Sequence, residues 1–233
     1  MRMRKKRNFA SRIQKCADYL VSDPASFREN GIISAFPDPD GEPARKISLE
    51  IGCGKGEFIT SLSALRPDER FVAIERIADV ALLAIEKYAD AAGNGHSDNV
   101  RFIIGNAADL ENWFSPDSIS EIYLNFSDPW PKKGHSKRRL TYRDYLLIYS
   151  RILKVGGGLH IKTDNDGFFE FTLEELAAAP FEIVWMTRNL HESEYSSGNI
   201  LTEYERKFSD AGAHINALYA KKRGDGSPGA EII

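Results

Sequence analysis

The amino-acid sequence predicts an α/β fold with a mostly parallel seven-stranded sheet, helices on both faces and an antiparallel C-terminal strand pair. Three observations predict it. Short apolar runs alternate with stretches of helical period, the mark of βαβ units. A glycine-rich turn, Gly52-Cys53-Gly54-Lys55-Gly56, follows the first strong strand. Candidate site residues then recur at or just after strand ends: Glu50 and Gly52, Glu75, Asn106, Asp128 and Asp164. Right-handed crossovers place all such ends along one sheet edge, where ligands bind.

Taken in order, residues 1–20 read as a basic arm and a short helix, and 22–45 as an irregular connector rich in Pro, Gly and Asp. Lys46 to Ile51 reads as the first strand and Glu57 to Leu65 as a helix, with Phe58, Ile59, Leu62 and Leu65 apolar. Phe71 to Ile74 is a buried strand ending in Glu75, and Asp79 is placed to cap the next helix, which Gly93 and Gly95 stop. Val100 to Ile104 and Ile122 to Phe126 are strands. Thr141 and Asp144 resemble a capping box ahead of a helix over Tyr142 to Leu153. Gly156, Gly157 and Gly158 turn the chain into a strand over Leu159 to Lys162, and a helix follows from about Gly167 to Leu176. Phe181 to Met186 and about Tyr204 to Tyr219 carry strand signals of antiparallel character, with Gly212 at a turn or bulge. The boundaries expected are an arm and connector over 1–45, the main domain over 46–221 and a disordered tail over 222–233.

Composition narrows the function. The 233 residues are 42% hydrophobic and 28% charged, enough for one well-packed domain. Cys16 and Cys53 form no CxxC pair, and the five histidines show no ligand spacing, so neither a disulfide framework nor a metal site is expected. Without a signal peptide or a membrane-length apolar run, the expectation is a cytoplasmic protein; it is taken as a monomer or homodimer, which no residue pattern decides. The net charge of −3 does not itself favour nucleic acid, but its distribution does. Seven of the first fifteen residues are basic, and a second cluster comprises Lys132, Lys133, Lys137, Arg138, Arg139 and Arg143. Either cluster alone could be a solvated face; together they point to a polyanion.

The turn Glu50-Ile51-Gly52-Cys53-Gly54-Lys55-Gly56 lets backbone approach a ligand closely. Glu57 stands where a dinucleotide fingerprint asks for glycine, and its charge would repel a pyrophosphate at the helix start. The order of a P-loop is absent as well. Glu75 is placed to accept both hydroxyls of a ribose, an arrangement shared by nucleotide and S-adenosylmethionine sites. Glu50 could face the cationic methionine part of the latter, so S-adenosylmethionine is the cofactor expected. A plain tight turn is the competing reading. Cys53 reads as a small packed residue.

The segment Asn125-Phe126-Ser127-Asp128-Pro129-Trp130-Pro131-Lys132-Lys133 is hard to explain as scaffold. Its prolines stiffen a turn that can hold a carboxylate and a ring in a cleft. Asp128 could accept from a guanine's N1–H and exocyclic amine. The cations after it, Lys133, Lys137, Arg138 and Arg139, suit phosphates.

The stretch Asn125 to Arg139 closely resembles the signature of the bacterial tRNA (guanine-N7-)-methyltransferase family. Ile161-Lys162-Thr163-Asp164 with Phe168 to Phe171, and Thr202-Glu203-Tyr204-Glu205-Arg206-Lys207-Phe208, resemble it too. The likeness runs from the basic start to about Lys221. It implies the Rossmann-like class I methyltransferase fold and methylation of a variable-loop guanine, tRNA position 46. By motif it implies cofactor contacts from Glu50, Gly52, Gly54, Glu75, Asn106 and Asp128. Contacts to tRNA would come from Lys132, Asp164, Thr202, Glu203, Tyr204 and Glu205, with Asp128 as the catalytic residue. Asn106 stands where many relatives carry an acid, and Gly134 where the family pattern has arginine. Competing readings are an amino-group methyltransferase acting on adenine, whose turn places the second proline before the aromatic residue, and a non-catalytic tRNA-binding protein on the same fold.

Overall fold

The computed structural model describes residues 8–36, 46–202, 204–206, 214–224 and 226–227. The basic start 1–7, the connector 37–45, Glu203, Gly212 and most of the tail expected to be disordered lie outside the described residues. The chain forms two compact units, Met1–Ser115 and Pro116–Ile233.

The first unit carries helix α1 (Phe9–Lys15), short helical turns that include α2 (Phe27–Asn30), and then β1 (Ile47–Ile51), α3 (Glu57–Leu65), β2 (Arg70–Glu75), α4 (Ala78–Gly93), β3 (Val100–Ile104) and α5 (Leu110–Trp113). The strands lie in the order β3-β2-β1 and pair in parallel. Every residue of β1 is buried, as a parallel strand covered on both faces requires. Helices α3 and α4 bury Phe58, Ile59 and Leu62, and Leu82, Ile85 and Tyr88. The Tyr88 hydroxyl donates to the Ser97 carbonyl at 2.6 Å and accepts from the Asn99 and Val100 N–H groups, so α4 sets the start of β3.

Residues 24–35, expected to be irregular, form helical turns of three or four residues, with Phe27, Ile32 and Phe36 buried. Turns this short show no period in sequence. Asp79 does not cap α4; it lies in the first turn, and Ile77 occupies the cap without a side-chain bond. Arg12 of α1 is bound through two nitrogens to Glu86 of α4, Nε at 2.7 Å, and so is not a free cation.

The second unit carries β4 (Ile119–Asn125), a 3-10 turn (Lys133–Arg138), α6 (Arg143–Ile152), β5 (Leu153–Thr163), α7 (Asp166–Ala177), β6 (Phe181–Thr187) and β7 (Asn216–Lys222). Its strands lie in the order β4-β5-β7-β6, with β4 and β5 parallel and β7 antiparallel to both β5 and β6. Three expectations change here. Strand β5 starts at Leu153 and runs through the glycines, and the irregularity appears as a register shift against β4 between Ile119 and Glu121. Thr141 makes no capping box. The first N–H of α6, on Arg143, instead donates to Glu175 of α7 at 2.7 Å, while Thr141 Oγ1 pairs with Thr172 Oγ1 at 2.9 Å. Among the described residues of the strand signal over Tyr204 to Tyr219, Asn216 onward is strand, whereas Tyr204 to Arg206 form a helical turn.

Candidate active site

In the first unit the turn after β1 is shaped by backbone. Gly52, Gly54 and Gly56 have φ of 79°, 55° and 75°, a left-handed run that side chains resist. The N–H groups of Gly52 and Cys53 both donate to the Ile74 carbonyl, at 2.8 and 3.1 Å, which ties the turn to β2. Glu75, at the end of β2, accepts from the Gly54 N–H at 3.2 Å and the Ile77 N–H at 2.8 Å. Each carboxylate oxygen so engaged keeps a lone-pair direction for a ligand hydroxyl. Glu50 is only 2% exposed. Burial, then the charges of Glu50 and Glu75, pushes the Cys53 thiol well above its ordinary range, so it stays protonated and packed.

These residues fit S-adenosylmethionine. A Cβ added at Gly54 meets nothing within 4 Å, so the turn is open there. The donor set, two carboxylates and a glycine backbone, suits a cationic sulfonium compound with a ribose diol and no phosphate. Asn106 is exposed, and its Oδ1 accepts from the Ala108 N–H at 3.1 Å, capping a 3-10 turn. The amide oxygen expected to meet an adenine amine therefore already serves as a cap, with one lone pair left over.

In the second unit side chains do the shaping. Phe126 and Trp130 bracket Ser127-Asp128-Pro129 with φ of 52° and 40°, uncommon for large residues. Arg139 holds the turn from behind. Its Nε donates to the Pro129 carbonyl at 2.9 Å and its Nη2 to the Trp130 carbonyl at 3.1 Å, while its guanidinium lies 4.2 Å from the Phe171 ring centre. Arg139, expected to contact phosphate, also braces the turn. Asp128 is exposed at the crest. Trp130 meets the basic turn, with His135 edge-on at 5.7 Å and the Arg138 guanidinium at 5.0 Å. Lys132, Lys133, Lys137 and Arg138 are exposed and have no carboxylate partner among the described residues, whereas Arg143 pairs with Glu175. Pro129, Pro131, Lys133, Ser136, Asn165 and Phe168 help line a cleft of about 570 Å³.

Asp164 and Tyr204 come together, the tyrosine hydroxyl donating to Asp164 Oδ2 at 3.5 Å, and the Tyr204 ring lies 4.9 Å from that of Phe126. Thr202 and Glu205 instead form a reciprocal capping box. The Glu205 N–H donates to Thr202 Oγ1 at 2.9 Å and the Thr202 N–H to Glu205 Oε2 at 3.4 Å. Glu205 is fully buried and also accepts from Lys162 Nζ at 2.7 Å, Asn199 Nδ2 at 2.5 Å and, across a hydrogen bond of 2.9 Å, His191 Nε2. Burial pushes its carboxyl up, but the Lys162 charge and the bonds from Lys162, Asn199 and His191 outweigh it and hold the group below the usual carboxylate range. Sequence reasoning assigned roles to neither Lys162 nor Glu175. The Thr-x-x-Glu spacing at 202–205 was the available signal for the cap.

Among the described residues no group of three or more His, Cys, Asp and Glu side chains could hold a metal ion, and no helix is long and apolar enough to cross a membrane. The strand order and the glycine turn between β1 and α3 define a class I methyltransferase. A family model described as a putative methyltransferase matches residues 44–218. The solved structure of the 16S rRNA methyltransferase KamB superposes with a TM-score of 0.60 over 81% of this chain and 94% of that one, at 15% identity, a likeness of fold alone.

Sequence relatives narrow the class. The tRNA (guanine-N(7)-)-methyltransferase of Geobacillus thermodenitrificans is 42% identical over 92% of this chain and 94% of its own. That of Lactococcus lactis subsp. cremoris (strain SK11) is 38% identical over 95% and 98%. The chain belongs to the tRNA (guanine-N(7)-)-methyltransferase family.

Proposed function

We infer that this protein transfers the methyl group of S-adenosylmethionine to N7 of a guanine in tRNA, at position 46 of the variable loop. One observation carries the reading: the near full-length similarity to relatives of that name, 42% identical over 94% of one of them. The residues support it. Glu50, Gly52, Gly54, Glu75 and Asn106 would hold the cofactor, with Asp128 as a further contact. When bound, the cofactor supplies a methyl group on a positively charged sulfur, a good electrophile.

The chain's own work is positioning. Guanine N7 carries an in-plane lone pair, so no side chain has to remove a proton first. Asp128, exposed in its turn, accepts from N1–H and the exocyclic amine and thereby aims N7. Lys132 and the Asp164–Tyr204 pair border the base, while Lys133, Lys137 and Arg138 take phosphates as point charges. Thr202, Glu203 and Glu205 belong to the substrate-binding stretch, in which the capping box sets the backbone. Bulk tRNA incubated with enzyme and cofactor, then digested and mapped by mass spectrometry, tests the reading. N7-methylguanosine confined to the variable loop is the expected product; methylated adenine, or no methylated base, would overturn it.

A further inference from the structure

The residues proposed to handle the substrate lie on three separate stretches of the second unit: Asp128 after β4, Asp164 after β5, and Thr202, Tyr204 and Glu205 ahead of β7. One residue engages all three. The carbonyl of Lys162, on β5, accepts from the Phe126 N–H at 2.8 Å, and its ammonium lies 5.9 Å from the Phe126 ring centre, two residues before Asp128. Asp164 is two positions further along its own strand end. Nζ donates to Asn199 Oδ1 at 3.0 Å, the Ile200 carbonyl at 2.9 Å and Glu205 Oε2 at 2.7 Å.

An ammonium has three hydrogens, and here three acceptors take them. Lys162 is 8% exposed and Glu205 fully buried. A buried ion pair is a poor way to gain stability, because well-packed apolar residues of similar volume often serve as well or better. What it supplies is direction: a fixed spacing between segments that apolar contact would leave free to slide. The spacing matters here because Tyr204, next to Glu205, reaches both Phe126 and Asp164.

We propose that Lys162 is a positioning residue for the methyl transfer, setting the Asp128, Asp164 and Tyr204 stretches against one another without itself touching base or cofactor. The proposal rests on the reading of those three residues as substrate-handling.

Lys162→Met keeps the stem and removes the ammonium. Single-turnover methylation at saturating tRNA and cofactor, counted per folded molecule, should fall by about 100-fold, the scale of a misplacement near 1 Å. Amide exchange at Thr202 and Glu205, whose N–H groups are now bonded, should quicken. Lys162→Arg, which keeps charge and donors, should recover about tenfold of the lost rate. A purely structural role predicts another pattern: a lower Tm and fewer folded molecules, each turning over at the native rate. That pattern overturns the proposal, as does a Lys162→Met rate within about threefold of native alongside quickened exchange. Should Lys162→Met fail to fold, Asn199→Ala removes one acceptor from the ammonium and one donor to Glu205, and a native rate there is equally fatal. A native enzyme that leaves guanine N7 unmethylated overturns the functional reading and the proposal with it. A methylating native enzyme beside an equally fast Lys162→Met overturns the proposal alone.

Discussion

The glycine turn of the first unit and the Asp128 turn of the second each present acidic groups from the end of a parallel strand, by opposite means. Around Gly52, Gly54 and Gly56 the path is set by backbone, with bonds from Gly52 and Cys53 to Ile74 and the Glu75 side chain closing it. Around Asp128 large residues take left-handed φ, and partners from elsewhere hold them there: the Arg139 side chain on the Pro129 and Trp130 carbonyls, and the Lys162 carbonyl on the Phe126 N–H. A backbone-built site tolerates loss of one side chain with a local penalty. A side-chain-built site spreads the penalty to every segment the side chain braces.

The sharpest way to break this contrast is at Asp128. Asp128→Asn places an amide donor where two guanine donors approach, and the chemical step should slow on the order of 10²–10³-fold, as when one preorganised partner is lost. Inosine at the target keeps N7 and N1–H but lacks the amine, so the native enzyme should methylate it poorly and the variant should show a smaller penalty. Single-turnover rates for the four combinations measure this; equal inosine penalties would move the orienting role to Asp164.

Next in size is Glu205→Gln, which should lower stability at neutral pH by about 3 kcal/mol, the cost of leaving a buried partner charged and alone. The Glu205 carboxyl is held below its ordinary value in the folded protein, so its contribution is fully present above the unfolded value of about 4.3 and is lost as pH falls through the folded one. Denaturant melts across that window should converge for native and variant. Parallel curves would show that the pair is not the acid-sensitive element.

Glu75→Ala should weaken cofactor binding by about 1.5–3 kcal/mol. Because Glu75 also accepts from the Gly54 and Ile77 N–H groups, part of that loss should appear as faster amide exchange in the turn. Calorimetry showing native affinity would remove Glu75 from the site. Smallest is the salt response: Arg138→Ala should lower the slope of log affinity for tRNA against log salt by about 0.7–0.9, while Arg12→Ala, already matched by Glu86, should leave it unchanged. A slope that falls for Arg12 and not for Arg138 would invert the assignment.

Much of this was legible in the residues. Helix α3 and strand β3 begin and end where their periods change, because apolar spacing and burial coincide there. The glycine turn was legible because left-handed backbone announces itself as glycine. The Asp128 turn was visible as a motif, but its brace was not: Arg139 reads as one more cation until Pro129, Trp130 and Phe171 are seen around it. Helix starts misled for a related reason. The Arg143 N–H at the start of α6 is satisfied by Glu175, 32 positions away, and no local spacing encodes that. At 202–205 the local signal existed, but motif resemblance read those residues as tRNA contacts, and the cap lay behind the same letters.

Phe126 and Trp130 carry one more consequence. A left-handed φ at a residue with a large side chain costs on the order of 1–3 kcal/mol and persists only where neighbours over-determine it. An engineer seeking a more heat-resistant enzyme by backbone comfort alone would replace these two first. The molecule so obtained would be easier to fold and would have nowhere definite to put Asp128.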